Sequence, residues 1–176
     1  MLRRIAVLLA ASFAFAAPAQ AYEPKPVETL LDQGVAYDPA IPKPEDITGF
    51  ELGEIIYTPE MHTAYIRAVA AASDRVSVEE IGRSHFGRPI LRVTTTSPDN
   101  QARLEAIRQT QLALMEAGAG APPADHPAIV QLTHGVHGSE ASGYDSAALI
   151  LYFLAAAQGA EAEALLDEVV VNQIVM

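Results

Sequence analysis

The sequence predicts an α/β fold, a partial mixed sheet flanked by helices, on three observations. Segments with apolar residues at helical spacing alternate with short β-branched runs, as in 58–73 against 89–97 and 142–157 against 169–176. The segments are joined by short connections of glycine, proline and polar residues, an arrangement that favours parallel neighbouring strands with helices between them. Half of the 176 residues are hydrophobic, so one domain can bury a core, although alanine supplies much of that half and aromatics are sparse.

The first 21 residues, MLRRIAVLLAASFAFAAPAQA, are set apart from this pattern. Arg3 and Arg4 precede an apolar run from Ile5 to Ala17, and Ala19-Gln20-Ala21 closes it. That is the layout of a secretory signal peptide cleaved after Ala21, which predicts a secreted or periplasmic protein. The apolar run is too short for a stable span, and no later stretch is long and apolar enough to cross a bilayer, so no stable membrane insertion is expected after cleavage. Residues 22–49 hold Pro24, Pro26, Pro39, Pro42 and Pro44 and read as an extended arm. Packing is expected to begin near Phe50, and residues 50–176 form the domain.

Within the domain, TPEMHTAYIRAVAAAS (58–73) reads as a helix. Thr58 can cap it, Pro59 suits its first turn, and Met61, Ala64, Tyr65, Ala68, Val69 and Ala72 form an apolar stripe. VSVEEIGRSHFGRPILRVTTTS (76–97) reads as two strands around a turn. A helix opens at Ser97-Pro98-Asp99 and runs to about Ala117, and GAGAPPADHP (118–127) is a loop. AIVQLTH (128–134) reads as a short buried strand, Ser142–Ala157 as a well-buried helix, EAEALLDE (161–168) as a short helix and VVVNQIVM (169–176) as a strand. That last segment is uncharged and β-prone; left unpaired, it would make the chain prone to associate.

The formal net charge is −11, and without the signal 9 basic residues face 22 acidic ones, a net −13. Such a surface repels phosphate backbones, so nucleic acid is not an expected partner. The absence of cysteine removes disulfides, thiolate nucleophiles and cysteine metal sites together.

Chemistry concentrates in THGVHGSEASGYDSA (133–147), between the predicted strand and a long helix. In an α/β sheet such a loop lies beyond the carboxyl end of a strand, where ligands bind. Gly135, Gly138 and Gly143 permit tight bends, and a His-x-x-Glu pair, His137 and Glu140, can converge on one point. An imidazole nitrogen and a carboxylate both suit zinc. The residues alone leave a second reading open, a histidine bonded to backbone and a glutamate at a helix start, where the dipole favours its ionised form. His134 is expected to end the strand beside the site. His62 is expected at a surface or boundary position, His85 in an exposed turn, and His126 in a loop. Ser139 and Ser142 lack the flanking glycines of a hydrolase nucleophile elbow, and no phosphate-binding or dinucleotide fingerprint is present.

At these residues the sequence resembles the zinc carboxypeptidases of the A/B type, closest to secreted bacterial members. IGRSHFGRPILRVTTTSPDN looks like that family's early hairpin, and GVHGSEASG falls where the family keeps its His-x-x-Glu zinc pair. The likeness covers roughly Phe50 to Met176. It implies an incomplete zinc-carboxypeptidase-like fold, the N-terminal part of the catalytic domain. One zinc ion is implied, with His137 and Glu140 as two of its three protein ligands, and peptides as substrates. The family's third zinc ligand and its glutamate base lie further downstream, so the base is expected beyond residue 176 and this chain alone is expected to be inactive. The arginine that members often carry beside the glutamate is Ser139 here. The resemblance implies a metallocarboxypeptidase cutting near peptide C-termini. The alternative is an exported module that holds a peptide or a cell-wall stem on the same scaffold without cutting it.

Overall fold

The computed structural model describes residues 26–118, 120–137 and 140–175. The expected signal segment lies outside them. Strand β1 is Ala36–Tyr37, and helices α1 and α2 are Pro44–Thr48 and Pro59–Ala72. The hairpin is β2 (Val76–Arg83) and β3 (Pro89–Thr95), followed by α3 (Pro98–Ala102), α4 (Leu104–Leu114) and β4 (Ala128–His134). Helix α5 is Ala141–Ala156, β5 is Ala157–Gln158, α6 is Ala160–Glu168 and β6 is Val169–Val175.

The main sheet is mixed, in the order β2-β3-β6-β4, with β6 antiparallel to β3 and parallel to β4. Parallel neighbours are therefore confined to β4 and β6; the hairpin makes the other pairings antiparallel. The register sets Leu91, Val93 and Thr95 opposite Val175, Gln173 and Val171. Because side chains alternate across a strand, these six share one face, and all are buried. Helices α2 and α5 close that face with Tyr65, Ile66, Val69, Ala148 and Leu151. Helix α4 lies on the other face, where Leu104, Ile107, Ile129 and Val170 line one cavity.

Thr58 Oγ1 accepts the Met61 amide and Ser97 Oγ the Asn100 amide, so both expected caps form. The stripe of α2, however, is turned from the expected one: His62, Tyr65, Ile66 and Val69 are buried while Ala64 and Ala72 are exposed. These four follow the i, i+3, i+4, i+7 spacing, with His62 in place of an apolar residue. The helix expected over 97–117 is two helices that break at Arg103. Buried Asn100 donates to the carbonyls of Leu166 and Asp167, while Arg103 bonds Asn100 Oδ1 and Asp125. These long-range bonds outweigh the local preference for one continuous helix.

Three further expectations change. The arm packs well before Phe50: Val27, Ile41 and Pro44 are buried, and β1 pairs with β5. Segment 169–175 is not an open end but a strand bonded on both sides. Segment 128–134 is not a buried strand; it is a sheet edge whose first five residues are largely exposed or partly exposed. An apolar composition looks the same in a central strand and in an edge strand, and only the pairing order tells them apart.

Candidate metal site

The loop that follows β4 begins with Gly135 at φ 76°, a left-handed conformation that a side chain disfavours. It turns the chain off the carboxyl end of β4. The Glu140 amide then donates to the His137 carbonyl at 2.9 Å, closing a turn that leads into α5. Glu140 stands at the N-cap of α5 without capping it. Its carboxylate instead points back along the turn, and Glu140 Oε1 lies 3.0 Å from His137 Nδ1. Both side chains are exposed, at 69% and 60%. Two ligands of one tetrahedral zinc, each at about 2.1 Å, would stand about 3.4 Å apart. The observed separation is within a few tenths of that, and the two donors face solvent, where an ion can reach them. Gly138 and Ser139 lie outside the described residues. Among the described residues, no third histidine, aspartate or glutamate joins the pair. Gly143, expected in the bend, sits inside α5, and a side chain built there would meet nothing within 4 Å.

Under the loop lies a buried polar layer. His134 Nδ1 donates to the Gly143 carbonyl at 3.1 Å, and its Nε2 accepts from Gln173 Nε2 at 3.4 Å. With both ring nitrogens engaged, His134 ties the ends of β4 and β6 to α5 and is not offered to a metal. Gln173 also donates to the Ala147 carbonyl at 3.1 Å. On the neighbouring α2, His62 is 1% exposed, against the surface position expected for it. Its Nε2 donates to Asp145 Oδ1 at 3.3 Å, and the same oxygen accepts the Tyr57 amide at 3.3 Å. The ring packs against Tyr144, centroid to centroid 4.0 Å, and edge-on to Tyr57 at 5.6 Å. Burial pushes the His62 pKa below its usual value, opposed by the Asp145 carboxylate and assisted by His134. Burial likewise raises the Tyr144 hydroxyl to about 12.

Asp145, Tyr57 and Gln173 were not foreseen from the sequence. A signal existed for one of them: Asp145 is the only charged residue in 141–160, and a carboxylate on an apolar helix requires a polar partner. His85 is exposed in the hairpin turn as expected, and His126 bonds Gln111.

The family model of the zinc carboxypeptidases matches residues 62–175, about two thirds of the chain. The chain belongs to that family. The match opens at His62 and closes on β6, so it takes in the hairpin, the His137–Glu140 loop and all four strands of the main sheet. Comparisons with curated proteins and with solved structures returned no match. The carboxypeptidase-like domain therefore presents its His-x-x-Glu loop at the carboxyl end of β4, above a layer of buried polar bonds. No described helix is long and apolar enough to cross a membrane.

Proposed function

We propose that His137 and Glu140 are two of the zinc ligands of a metallocarboxypeptidase, which hydrolyses peptide bonds near peptide C-termini. The observation that carries the reading is the convergence of His137 Nδ1 and Glu140 Oε1 on one solvent-facing point, 3.0 Å apart, within a chain of this family. A zinc ion held by His137, Glu140 and a third protein ligand would supply Lewis acidity, lowering the pKa of a bound water to about 7. The roles of this chain's own residues follow from their placement. Gly135 turns His137 out of the sheet, and the first turn of α5 holds Glu140 against it. His134 and Gln173 hold α5 to the strand ends through the Gly143 and Ala147 carbonyls, so the ligand turn stands on a fixed base.

A third ligand and a general base have to come from residues other than those described. The described residues therefore supply two ligands of the site, and residues 22–176 alone are expected to hydrolyse peptides negligibly. Export fits the same reading: residues 1–21 carry the signal layout, and the substrates are peptides outside the cytoplasm.

Zinc titration by competition with a chromogenic chelator tests the ligand assignment. Residues 22–176 should bind one zinc at micromolar affinity or weaker. His137→Ala and Glu140→Gln should each lower that affinity at least ten-fold, and no peptide should be turned over. Zinc binding indifferent to both substitutions would remove the assignment. Nanomolar one-to-one binding or peptide turnover by the chain alone would overturn the two-ligand reading.

A further inference from the structure

On the face of the main sheet turned away from α2 and α5, a cavity of about 200 Å³ lies between α4 and the strands. At about 30 Å³ for each water in the liquid it has room for roughly seven, so its occupant is small. Strand alternation puts Arg92 and Thr94 of β3 and Val170 and Asn172 of β6 on this face, one residue out of step with the buried Val93, Thr95, Val171 and Gln173. Leu104, Ile107, Ile129 and Val170 are among its apolar lining, and Arg92, Arg108 and Glu105 are its charged residues.

The polar side chains of this lining have their oxygens occupied and N–H groups left over. Thr94 donates to Asn172 Oδ1 at 2.8 Å, so the Asn172 amide nitrogen is the atom still able to bond a ligand. Gln111, also in the lining, has its oxygen 3.2 Å from His126 Nε2, which leaves its nitrogen in the same state. Both Glu105 oxygens are taken, by Arg108 through Nε and Nη2 and by Gln109, and those bonds hold its pKa down to about 2. Arg92 uses Nη2 on Glu79, the residue opposite it on β2, and Arg108 has Nη1 to give. Two arginines against one glutamate make a local excess of positive charge in a chain of net charge −11. The arginine side chains are 42% and 52% exposed, and ion pairs so exposed add little to stability, so neither arginine is committed to its present partner.

We propose that this cavity binds a small carboxylate carried on a short apolar chain. The chain would lie among Leu104, Ile107, Ile129 and Val170, and the carboxylate would accept from Arg92, Arg108 and the Asn172 amide. Guanidinium groups suit a carboxylate because their paired N–H groups match its two oxygens. A cation would meet donors without acceptors, and an uncharged chain would displace water from the donors without replacing its bonds. The ligand is a free short-chain acid or the carboxyl end of a peptide; both present the same chemistry here. Nothing in this site rests on the peptidase reading above.

The test is isothermal titration calorimetry of the full chain in EDTA with hexanoate, hexan-1-ol, acetate and N-acetylleucine. Hexanoate should bind at least ten-fold more tightly than hexan-1-ol or acetate, each of which lacks one half of the ligand. Arg92→Gln and Arg108→Gln, both at exposed positions, should each lower hexanoate affinity at least five-fold. Arg83→Gln, exposed at the end of β2 and outside the lining, should change it less than two-fold. Hexanoate that is undetectable or no tighter than either control, or binding that survives both arginine substitutions, would overturn the site. N-acetylleucine binding more tightly than hexanoate supports the site with a peptide end as its ligand, and the reverse order supports it with a free acid. His137→Ala and Glu140→Gln should leave hexanoate affinity unchanged, so failure of this site and failure of the zinc assignment are read separately.

Discussion

Helix α5 holds two imidazole–carboxylate pairs, five residues apart along its chain. Glu140 at its N-cap faces His137 at 3.0 Å, and Asp145 in its second turn faces His62 at 3.3 Å. The distances are nearly alike, but the surroundings are opposite. The first pair is exposed on a turn; the second is enclosed by Tyr57, Tyr144 and the α2 core. In water, a pair of this kind adds little to stability and remains free to accept an ion. In the interior, the bond between His62 Nε2 and Asp145 Oδ1 satisfies one desolvated atom of each partner, while His62 Nδ1 has no hydrogen-bond partner among the described residues, so the pair joins α2 to α5 and is closed to ligands on the histidine side. Geometry alone does not mark a metal site. Access does.

The comparison breaks most easily through stability. His62→Ala removes a filled volume and leaves Asp145 short of a donor, and should cost about 3 kcal/mol in chemical denaturation. His137→Ala should change stability by less than about 0.5 kcal/mol, as exposed pairs do. Equal costs would mean that the exposed turn is structural and not reserved for a ligand. Zinc binding should rank the same two variants in reverse, with His62→Ala, assayed while folded, within two-fold of the parent chain.

A titration sharpens the contrast. The folded state holds His62 below its ordinary value of 6.5, so the unfolded chain takes up more protons as pH falls. The His62 contribution to stability should be fully present above about pH 7 and be lost progressively below about 6.5, down toward the depressed folded value. Asp145, His134 and the Tyr57 and Tyr144 hydroxyls are the titratable groups around it. His62→Gln should flatten that part of a stability-against-pH curve; an unchanged slope would place its origin elsewhere.

The smallest effect concerns the two edges of the sheet. β2 carries Glu79, Glu80 and Arg83 and an irregularity between Glu80 and Gly82, features that discourage pairing with another chain. β4 carries no ordinary charge, and Ile129 and Val130 are about two-fifths exposed. The association hazard therefore moves from 169–176, where the apolar run suggested it, to 128–134. Val130→Lys should reduce aggregation of the purified chain in light scattering with little change in denaturation midpoint. A matching change at Glu79 on the charged edge should do nothing for aggregation.

Much of the fold was legible in the sequence because it is set by local chemistry. Thr58 and Ser97 are caps that act within three residues, and the 76–97 hairpin closes on its own turn, with Gly87 at φ 76°. The convergence of His137 and Glu140 was legible for the same reason: Gly135 and a three-residue spacing confine both to one turn. His62 was not, because a histidine in an apolar stripe reads as a boundary residue unless its partner is known, and that partner lies 83 positions away. The split at Arg103 and the edge position of β4 depend likewise on residues distant in the chain.

By itself, then, the sequence determined what nearest neighbours can settle: caps, turns, alternation, and an imidazole and a carboxylate on one bend. The tertiary structure decided which strands lie at the edges, which histidine is buried, and which distant carboxylate it bonds. The physical reason is that burial and strand order belong to contacts between distant segments, and no local pattern encodes which face of a strand or helix water will reach.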